Sequence, residues 1–335
     1  AELLPERDKP ALLAGNLRVQ WVVVGAGLTG LACARRLAEL HPDHEILILD
    51  ARLVGQGASG RNSGFTVGVS HFPGAFNAKH KANYARVNRI NQAGVALLDQ
   101  QIKAQAIDCQ WDSRGFHHGA ADSQSINESS HFLGYLDAME IDHTPLDQDA
   151  MQQRFGTALY KTGVHVKAGG LVQPAALVRG LADSLPRNVR LIEQCSVLKI
   201  KSGKPITLTT SQGEISTDKL ILATNYEAGK LGFLSRRLIG STLSGSFTRR
   251  LTAAELSSLG EHKEWGIISL HSGGATIRLT ADGRICLRNT GEYFGGSLLT
   301  PRRLQQRQAI HRASFEKRFP QLTHVPFEYS WSGVE

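Results

Sequence analysis

The chain has 335 residues, 41% of them hydrophobic and 20% charged, with a formal net charge of +8. That length and apolar content are ordinary for a globular protein of two domains, or one large domain with an insertion, and no stretch approaches the ~18 consecutive apolar residues of a membrane span. The positive charge comes without a run of five basic residues, so it reads as scattered solvated side chains rather than a nucleic-acid track.

In chain order, residues 1–17 form a polar lead-in without the apolar core of a signal peptide. Residues 18–24 are β-branched and almost unbroken in their apolarity, the pattern of a parallel strand buried on both faces. Gly25 ends that strand. Apolar side chains at 28, 31, 34, 37 and 38, with Arg35, Arg36 and Glu39 opposite, then predict a helix with one buried stripe, stopped by His41-Pro42-Asp43. Residues 46–49 are the next buried strand. Residues 55–77 are rich in Gly, Ser and Asn and read as irregular, and long loops in compact domains are often functional. Helical spacing returns over 82–106, with Val87, Ile90, Gly94, Leu97, Leu98 and Ile102 on one face. A strand around 114–118, a helix over 123–140 and a short helix over 148–155 capped by Asp147 follow.

Residues 161–168 alternate as a strand, Gly169-Gly170 turns, and Pro174 opens a helix to Asp183. Short strands at 188–192 and 196–200, a hairpin over 207–215 and a buried strand at 219–223 come next. From 238 to 295 the pattern is antiparallel β, with strands at 238–251, 266–270, 275–279 and 284–289 and a tight turn at Asp282-Gly283. A helix over 302–319 is closed by Pro320. The simplest organisation is α/β: a discontinuous domain over 18–110 and 161–235, interleaved with an α and antiparallel-β domain over 111–160 and 236–335. The cysteines are Cys33, Cys109, Cys195 and Cys286; none forms a CxxC pair, so free thiols in a reducing compartment, the cytoplasm, are expected and a metal site is not.

Gly25, Gly27 and Gly30 form a GxGxxG turn between the first strand and the first helix. The first glycine permits the tight turn, the second lets the backbone approach a pyrophosphate, and the third lets helix and strand pack closely. The helix N-terminus offers N–H groups and a positive dipole end to the phosphates. Asp50 ends the second strand, where a carboxylate accepts from ribose hydroxyls, which selects FAD or NAD over NADP. The glycine-rich loop from Gly55 to Gly64 follows directly and suits a pyrophosphate and an isoalloxazine ring, which points to FAD. An NAD-dependent dehydrogenase needs no such loop and stands as an alternative.

The run from Gly25 to Gly64, with Asp50 and Gly57-Ala58-Ser59-Gly60-Arg61-Asn62-Ser63-Gly64, resembles the FAD-dependent oxidoreductases of D-amino-acid-oxidase type, which include glycine, sarcosine and γ-glutamylputrescine oxidases. The Gly-Ala-Ser-Gly-Arg-Asn form is most like the γ-glutamylputrescine oxidoreductase branch. Gly170-Leu-Val-Gln-Pro174, Cys195-Ser-Val197, Leu222-Ala223-Thr224-Asn225 and Phe319-Pro320 followed by Trp331-Ser-Gly333 resemble later runs of the same family, in the same order. The resemblance implies a Rossmann-like FAD-binding domain interleaved with an α and antiparallel-β substrate domain. It implies FAD held by Gly25, Ala26, Gly27, Leu28, Thr29, Gly30, Asp50, Ala51, Arg52, Gly57, Ala58, Ser59, Arg61, Asn62, Ser63, Gly64, Val197, Ala223 and Thr224. The implied reaction is oxidation of a C–N bond in a small amine or amino acid by hydride transfer to flavin N5. An imine and then a carbonyl plus ammonia or amine result, and the electrons pass to O2 or a carrier. Members of the family continue past the Trp-x-Gly run to a glycine-rich closing segment. This chain ends at Glu335, so that segment is expected to be absent or supplied by something else. A non-catalytic or partner-dependent flavin subunit is therefore the second alternative.

For the reaction itself, Arg61 is the candidate to stabilise a reduced flavin and His71 the candidate to face the ring. His117 and His118, adjacent on a strand, point to opposite faces. Arg249, Arg278 and Arg288 lie on antiparallel strands and suit a substrate carboxylate, and Tyr293 is a similar candidate. Arg302, Arg303, Arg307, Arg312, Lys317 and Arg318 make the late helix basic, which reads as a solvated face rather than a nucleic-acid surface.

Overall fold

The apolar run after residue 17 becomes β1 (Leu17–Val24), at the heart of a six-stranded sheet. The computed structural model that shows this describes residues 4, 11–13, 15–235, 237–261, 263–271, 273–294 and 298–334. Val22 and Val23 are both fully buried and point to opposite faces, Val23 toward α1 (Leu28–Leu40) and Val22 toward Leu208 and Ile215. Leu31, Ala34 and Ala38 form the buried stripe of α1. β2 (Ile46–Leu49) is buried at every position and lies parallel to β1. Each such aliphatic side chain contributes about 1.5–3 kcal/mol by leaving water.

β3 (Phe65–Val67) lies within the stretch expected to be irregular. α2 (Lys81–Ala104) follows, but Ile90 and Leu97, expected on its buried face, are 58% and 62% exposed. The reason is that α2 is anchored to two cores. Its first half lays Tyr84 against Phe72, Phe76 and Tyr135, and Asn88 Nδ2 donates to the Tyr135 hydroxyl. Its second half sets Ile102 among Leu177 and Val178. These anchors do not make one continuous stripe.

β4 (Phe116–Ala120), α3 (Ser123–Ala138), β5 (His143–Asp147), α4 (Gln148–Phe155) and β6 (Thr162–Val166) come next. Asp147 caps α4 by accepting from the Ala150 N–H, as its position suggested. β7 (Gly169–Leu171) pairs antiparallel with β3, so the glycine pair expected to turn is instead a strand. A Cβ on Gly170 would collide with the Asp112 carbonyl, and this crowding accounts for glycine there. α5 (Pro174–Asp183) begins at its proline. β8 (Val189–Ile192), β9 (Val197–Lys201), β10 (Ile206–Thr210) and β11 (Gly213–Leu222) complete the first sheet, in the order β8-β2-β1-β11-β10-β9. Its first four strands are parallel.

β12 (Ser241–Thr248), α6 (Ala253–Ser257), β13 (Trp265–Ser269), β14 (Thr276–Leu279), β15 (Ile285–Tyr293), α7 (Pro301–Arg318) and β16 (Phe327–Val334) follow. The second sheet runs β16-β12-β15-β14-β13-β4-β6-β5 and is antiparallel except where β13 meets β4. β6 belongs to it, so the chain returns to the first sheet after 166 rather than at the expected 161. Strand alternation separates its faces. Ile277, Leu279 and Leu287 pack on Phe315 of α7. Gly245, Phe247, Arg278, Cys286, Tyr329 and Trp331 share the opposite face, and Arg278 and Trp331 reach the loop that follows β2.

Candidate active site

β1 turns sharply into α1 at Gly25, whose φ is +109°, and a Cβ there would strike the Ala223 carbonyl at the end of β11. A Cβ on Gly30 would lie 3.0 Å from the Gly25 carbonyl carbon and closer still to its oxygen, so α1 meets the turn backbone to backbone. A Cβ on Gly27 would come within 2.8 Å of Ser59 Oγ. That hydroxyl accepts from the Leu28 N–H at 3.1 Å. Glycine turn, helix N-terminus and Ser59 therefore converge on one spot. Gly27 gives α1 no side-chain cap, and the N–H groups of Leu28, Thr29 and Gly30 open the helix where an anion is favoured.

Asp50 lies directly beside that spot. Its Oδ2 accepts from the Ala26 N–H at 2.7 Å and its Oδ1 from the Arg52 N–H at 2.8 Å. Burial lifts its pKa above the usual carboxylate value, against the opposing pull of those two donors. The Cys195 N–H donates to the Asp50 carbonyl at 2.8 Å and the Gln194 N–H to the Arg52 carbonyl at 3.4 Å. These bonds bring the chain leading to Val197 alongside Asp50, Ala51 and Arg52. Glu193, which no motif marks, is 4% exposed and accepts from the Val54 N–H, fixing the start of the glycine-rich loop.

In that loop Gly57 leads into a 3-10 turn over Ala58–Gly60. Asn62 staples it: Nδ2 donates to the Ala58 and Ser59 carbonyls at 3.2 and 2.9 Å, and Oδ1 accepts from the Gly64 N–H at 2.9 Å. The Trp331 indole N–H donates to the Arg61 carbonyl at 2.9 Å. A cavity of about 380 Å³ opens where the loop meets the second sheet, lined in part by Gly60, Arg61, Asn62, Ser63, Phe247, Arg278, Cys286, Tyr329 and Trp331. Burial pushes the Cys286 thiol up to about 12, so it is no nucleophile at neutral pH. At the end of β11, Thr224 Oγ1 is buried and has no hydrogen-bond partner among the described residues.

The residues fit a flavin dinucleotide. The glycine cradle leaves no room for side chains, the half-buried acid stands beside the helix N-terminus, and Thr224 holds an unsatisfied hydroxyl next to the turn. The structure does not bring His71 to the cavity. Its Nε2 lies 2.8 Å from Glu128 Oε1 and its ring meets Phe132 edge-on at 4.9 Å. His118 packs beside it on Phe132, and burial pushes its imidazole down to about 3, hence neutral. His117 faces the other way and stacks on His165 at 4.6 Å.

Among the arginines considered for a substrate carboxylate, Arg249 forks onto Glu255 at 2.8 and 2.7 Å, Arg278 pairs with Glu264 at 2.6 Å, and Arg288 donates to Thr276. Of the three, only Arg278 lines the cavity. Tyr293 is 78% exposed. On the basic helix, Arg303 and Arg307 converge on Glu292 and Arg312 pairs with Glu316, so much of that charge is spent inside the chain.

A family model described as "FAD dependent oxidoreductase" (DAO) matches residues 20–335. Gamma-glutamylputrescine oxidoreductase of Escherichia coli (strain K12) is 27% identical over 318 residues, covering 93% of this chain and 72% of that protein. Among solved structures, glycine oxidase from Geobacillus kaustophilus superposes with a TM-score of 0.74 at 17% identity, covering 95% of this chain and 83% of that one. L-proline dehydrogenase from P. horikoshii gives 0.73 at 16% identity, covering 95% and 82%. These likenesses show the two-sheet fold. No helix among the described residues is long and apolar enough to cross a membrane. With the glycine cradle, the half-buried acid and a match over nearly the whole chain, the protein belongs to the DAO family of FAD-dependent oxidoreductases.

Proposed function

We propose that this chain oxidises a C–N bond in a small amine or amino acid. The observation that carries the reading is the meeting of the Arg61–Ser63 stretch with the aromatic face of β12 and β16. There the Trp331 indole holds the Arg61 carbonyl beside the 380 Å³ cavity. FAD bound at such a site supplies the acceptor for a hydride equivalent taken from the carbon next to nitrogen.

The chain's own residues bind and orient. Asp50 accepts from the adenosine ribose hydroxyls, and the segment at Val197 borders the adenine end. The N–H groups of Thr29 and Gly30 and the Ser59 hydroxyl, itself held by the Leu28 N–H, would take the pyrophosphate. Gly57, Ala58, Asn62, Ser63 and Gly64 would line the flavin along the loop, and Ala223 and Thr224 would close the site beside the Gly25 turn. Arg61, which lines the cavity, would offer a cation to a reduced flavin. Phe247, Tyr329 and Trp331 give the substrate side an apolar wall that excludes water and suits a neutral amine. The product is an imine, which water converts to a carbonyl plus ammonia or amine, and the electrons leave to O2 or a carrier. The four cysteines are free, which suits a reducing compartment, and we take the cytoplasm as the place of action.

Relatives support this substrate class by name: gamma-glutamylputrescine oxidoreductase, glycine oxidase and L-proline dehydrogenase. The test is the visible spectrum of the purified chain after addition of FAD, followed by anaerobic titration with a panel of amines, amino acids and hydroxy compounds. Bleaching by an amine or amino acid is expected. No flavin uptake, or bleaching by hydroxy compounds alone, would overturn the proposal.

A further inference from the structure

We infer that Arg278 is the positioning residue that locks the flavin-side loop against the second sheet. The inference deepens the proposed function and rests on it. Arg278 sits on β14, is 2% exposed, and shares a sheet face with Cys286. Its Nη1 reaches away from its own sheet into the first domain. There it donates to the Val172 carbonyl, with the Gly64 and Ser63 carbonyls at 3.4 and 3.5 Å. Its Nη2 donates to Glu264 Oε1 at 2.6 Å, which fixes the roll of the planar head.

The approach is close. Gly64 has a φ of +79°, and a Cβ there would strike both Arg278 and the Val172 carbonyl. The Val172 N–H returns to the Gly64 carbonyl at 2.8 Å. Arg278 thus ties both segments to the second sheet, alongside the Trp331 bond to the Arg61 carbonyl. Both of those segments border the cavity through Ser63 and Gln173. Arg278 itself lines the cavity, and its buried Nε–H has no partner among the described residues. A buried donor without an acceptor is uncommon and marks a place where a bound group completes the bonding. Only a guanidinium can serve carbonyls on one side and a carboxylate on the other with fixed geometry. A lysine head carries the charge without the fork.

The experiment compares wild type with Arg278→Lys, and with Arg278→Gln combined with Glu264→Gln, which leaves no buried ion unpaired should the single variant fail to fold. Three readouts are taken: amide hydrogen exchange of the FAD-free protein, FAD dissociation constant by flavin fluorescence, and visible circular dichroism of the bound flavin. Exchange at 61–64 and at Val172 should rise at least tenfold while β1 and β11 keep their protection. FAD should bind at least tenfold more weakly, and the circular-dichroism band of the bound flavin should change. A variant with native exchange at the loop, or with FAD affinity within twofold of wild type and the same dichroism, overturns the inference alone. If the wild-type chain takes up no FAD, the proposed function fails, and the inference falls with it.

Discussion

Asp50→Asn separates the structural part of the acid's role from its part in binding. The carboxylate has two oxygens, each accepting from one backbone N–H, at Ala26 and at Arg52. Asparagine keeps one acceptor oxygen and turns a donor toward the other N–H. The Ala26 bond is partly buried and the Arg52 bond is exposed, so the side chain should keep Ala26 and surrender Arg52 to water. The loss in the FAD-free protein is then one solvated hydrogen bond, about 0.5–1.5 kcal/mol. Relief of a buried charge offsets part of it, since burial already lifts the acid's pKa. Binding should suffer more. A hydrogen bond to a charged acceptor is worth about 1.5–3 kcal/mol, and each 1.4 kcal/mol is about tenfold in affinity. FAD should therefore bind about 10- to 100-fold more weakly, while the urea midpoint of the FAD-free protein shifts little. The assay is fluorescence titration of FAD alongside urea unfolding. An affinity within twofold of wild type, with the fold intact, would falsify the ribose role of Asp50.

Two further outcomes follow from the geometry. Gly30→Ala forces α1 off the Gly25 carbonyl and should cost about 3 kcal/mol by overpacking; urea unfolding within about 0.5 kcal/mol of wild type would mean that helix and turn are not in backbone contact. Burial, with Arg307 nearby, pushes His311 down to about 4, and Ser246 Oγ lies 2.8 Å from its Nδ1. The imidazole is neutral in the fold but gains a proton in the unfolded chain below its ordinary value near 6.5, so its contribution is complete above that value and is lost as pH falls toward 4. Between pH 7 and pH 5 the wild type should lose about 2 kcal/mol more than His311→Gln; parallel pH profiles would refute the assignment.

Local signals read well from the sequence, and long-range ones did not. The strand, glycine turn, helix and acid from β1 to Asp50 fall where periodicity and glycine placement put them, because each is set within a few residues. Asp147 and Pro174 work the same way as helix starts. The pairing of Gly169 and Gly170 with β3 could not be read, because glycine pairs also make turns and the deciding crowding comes from Asp112. The exposed Ile90 and Leu97 misled for a related reason: helical spacing reports a stripe, whereas α2 is held at its two ends by different cores. Asn62 was visible only as a motif letter, and its role as a staple appears once both of its ends are bonded.

The two ends of the site differ in how they are built. At the glycine turn, Ala26, Asp50 and Ser59 meet through contacts that span at most a few tens of residues. At the cavity, the Arg61 and Gly64 carbonyls are met by Trp331 and Arg278, more than two hundred residues away in sequence. The centre of the first end needs only β1, α1, β2 and the loop after them, with the segments at Cys195 and Ala223 closing round it. The second requires the eight-stranded sheet to be complete through β16, since Trp331 lies on that edge strand. A short motif therefore suffices to recognise the cofactor class, while the far wall of the cavity is set by sheet residues that spacing does not mark. This explains why the flavin could be read from residues 25–64 while the arginine that holds its loop could not be told apart from Arg249, just past β12, and Arg288 on β15.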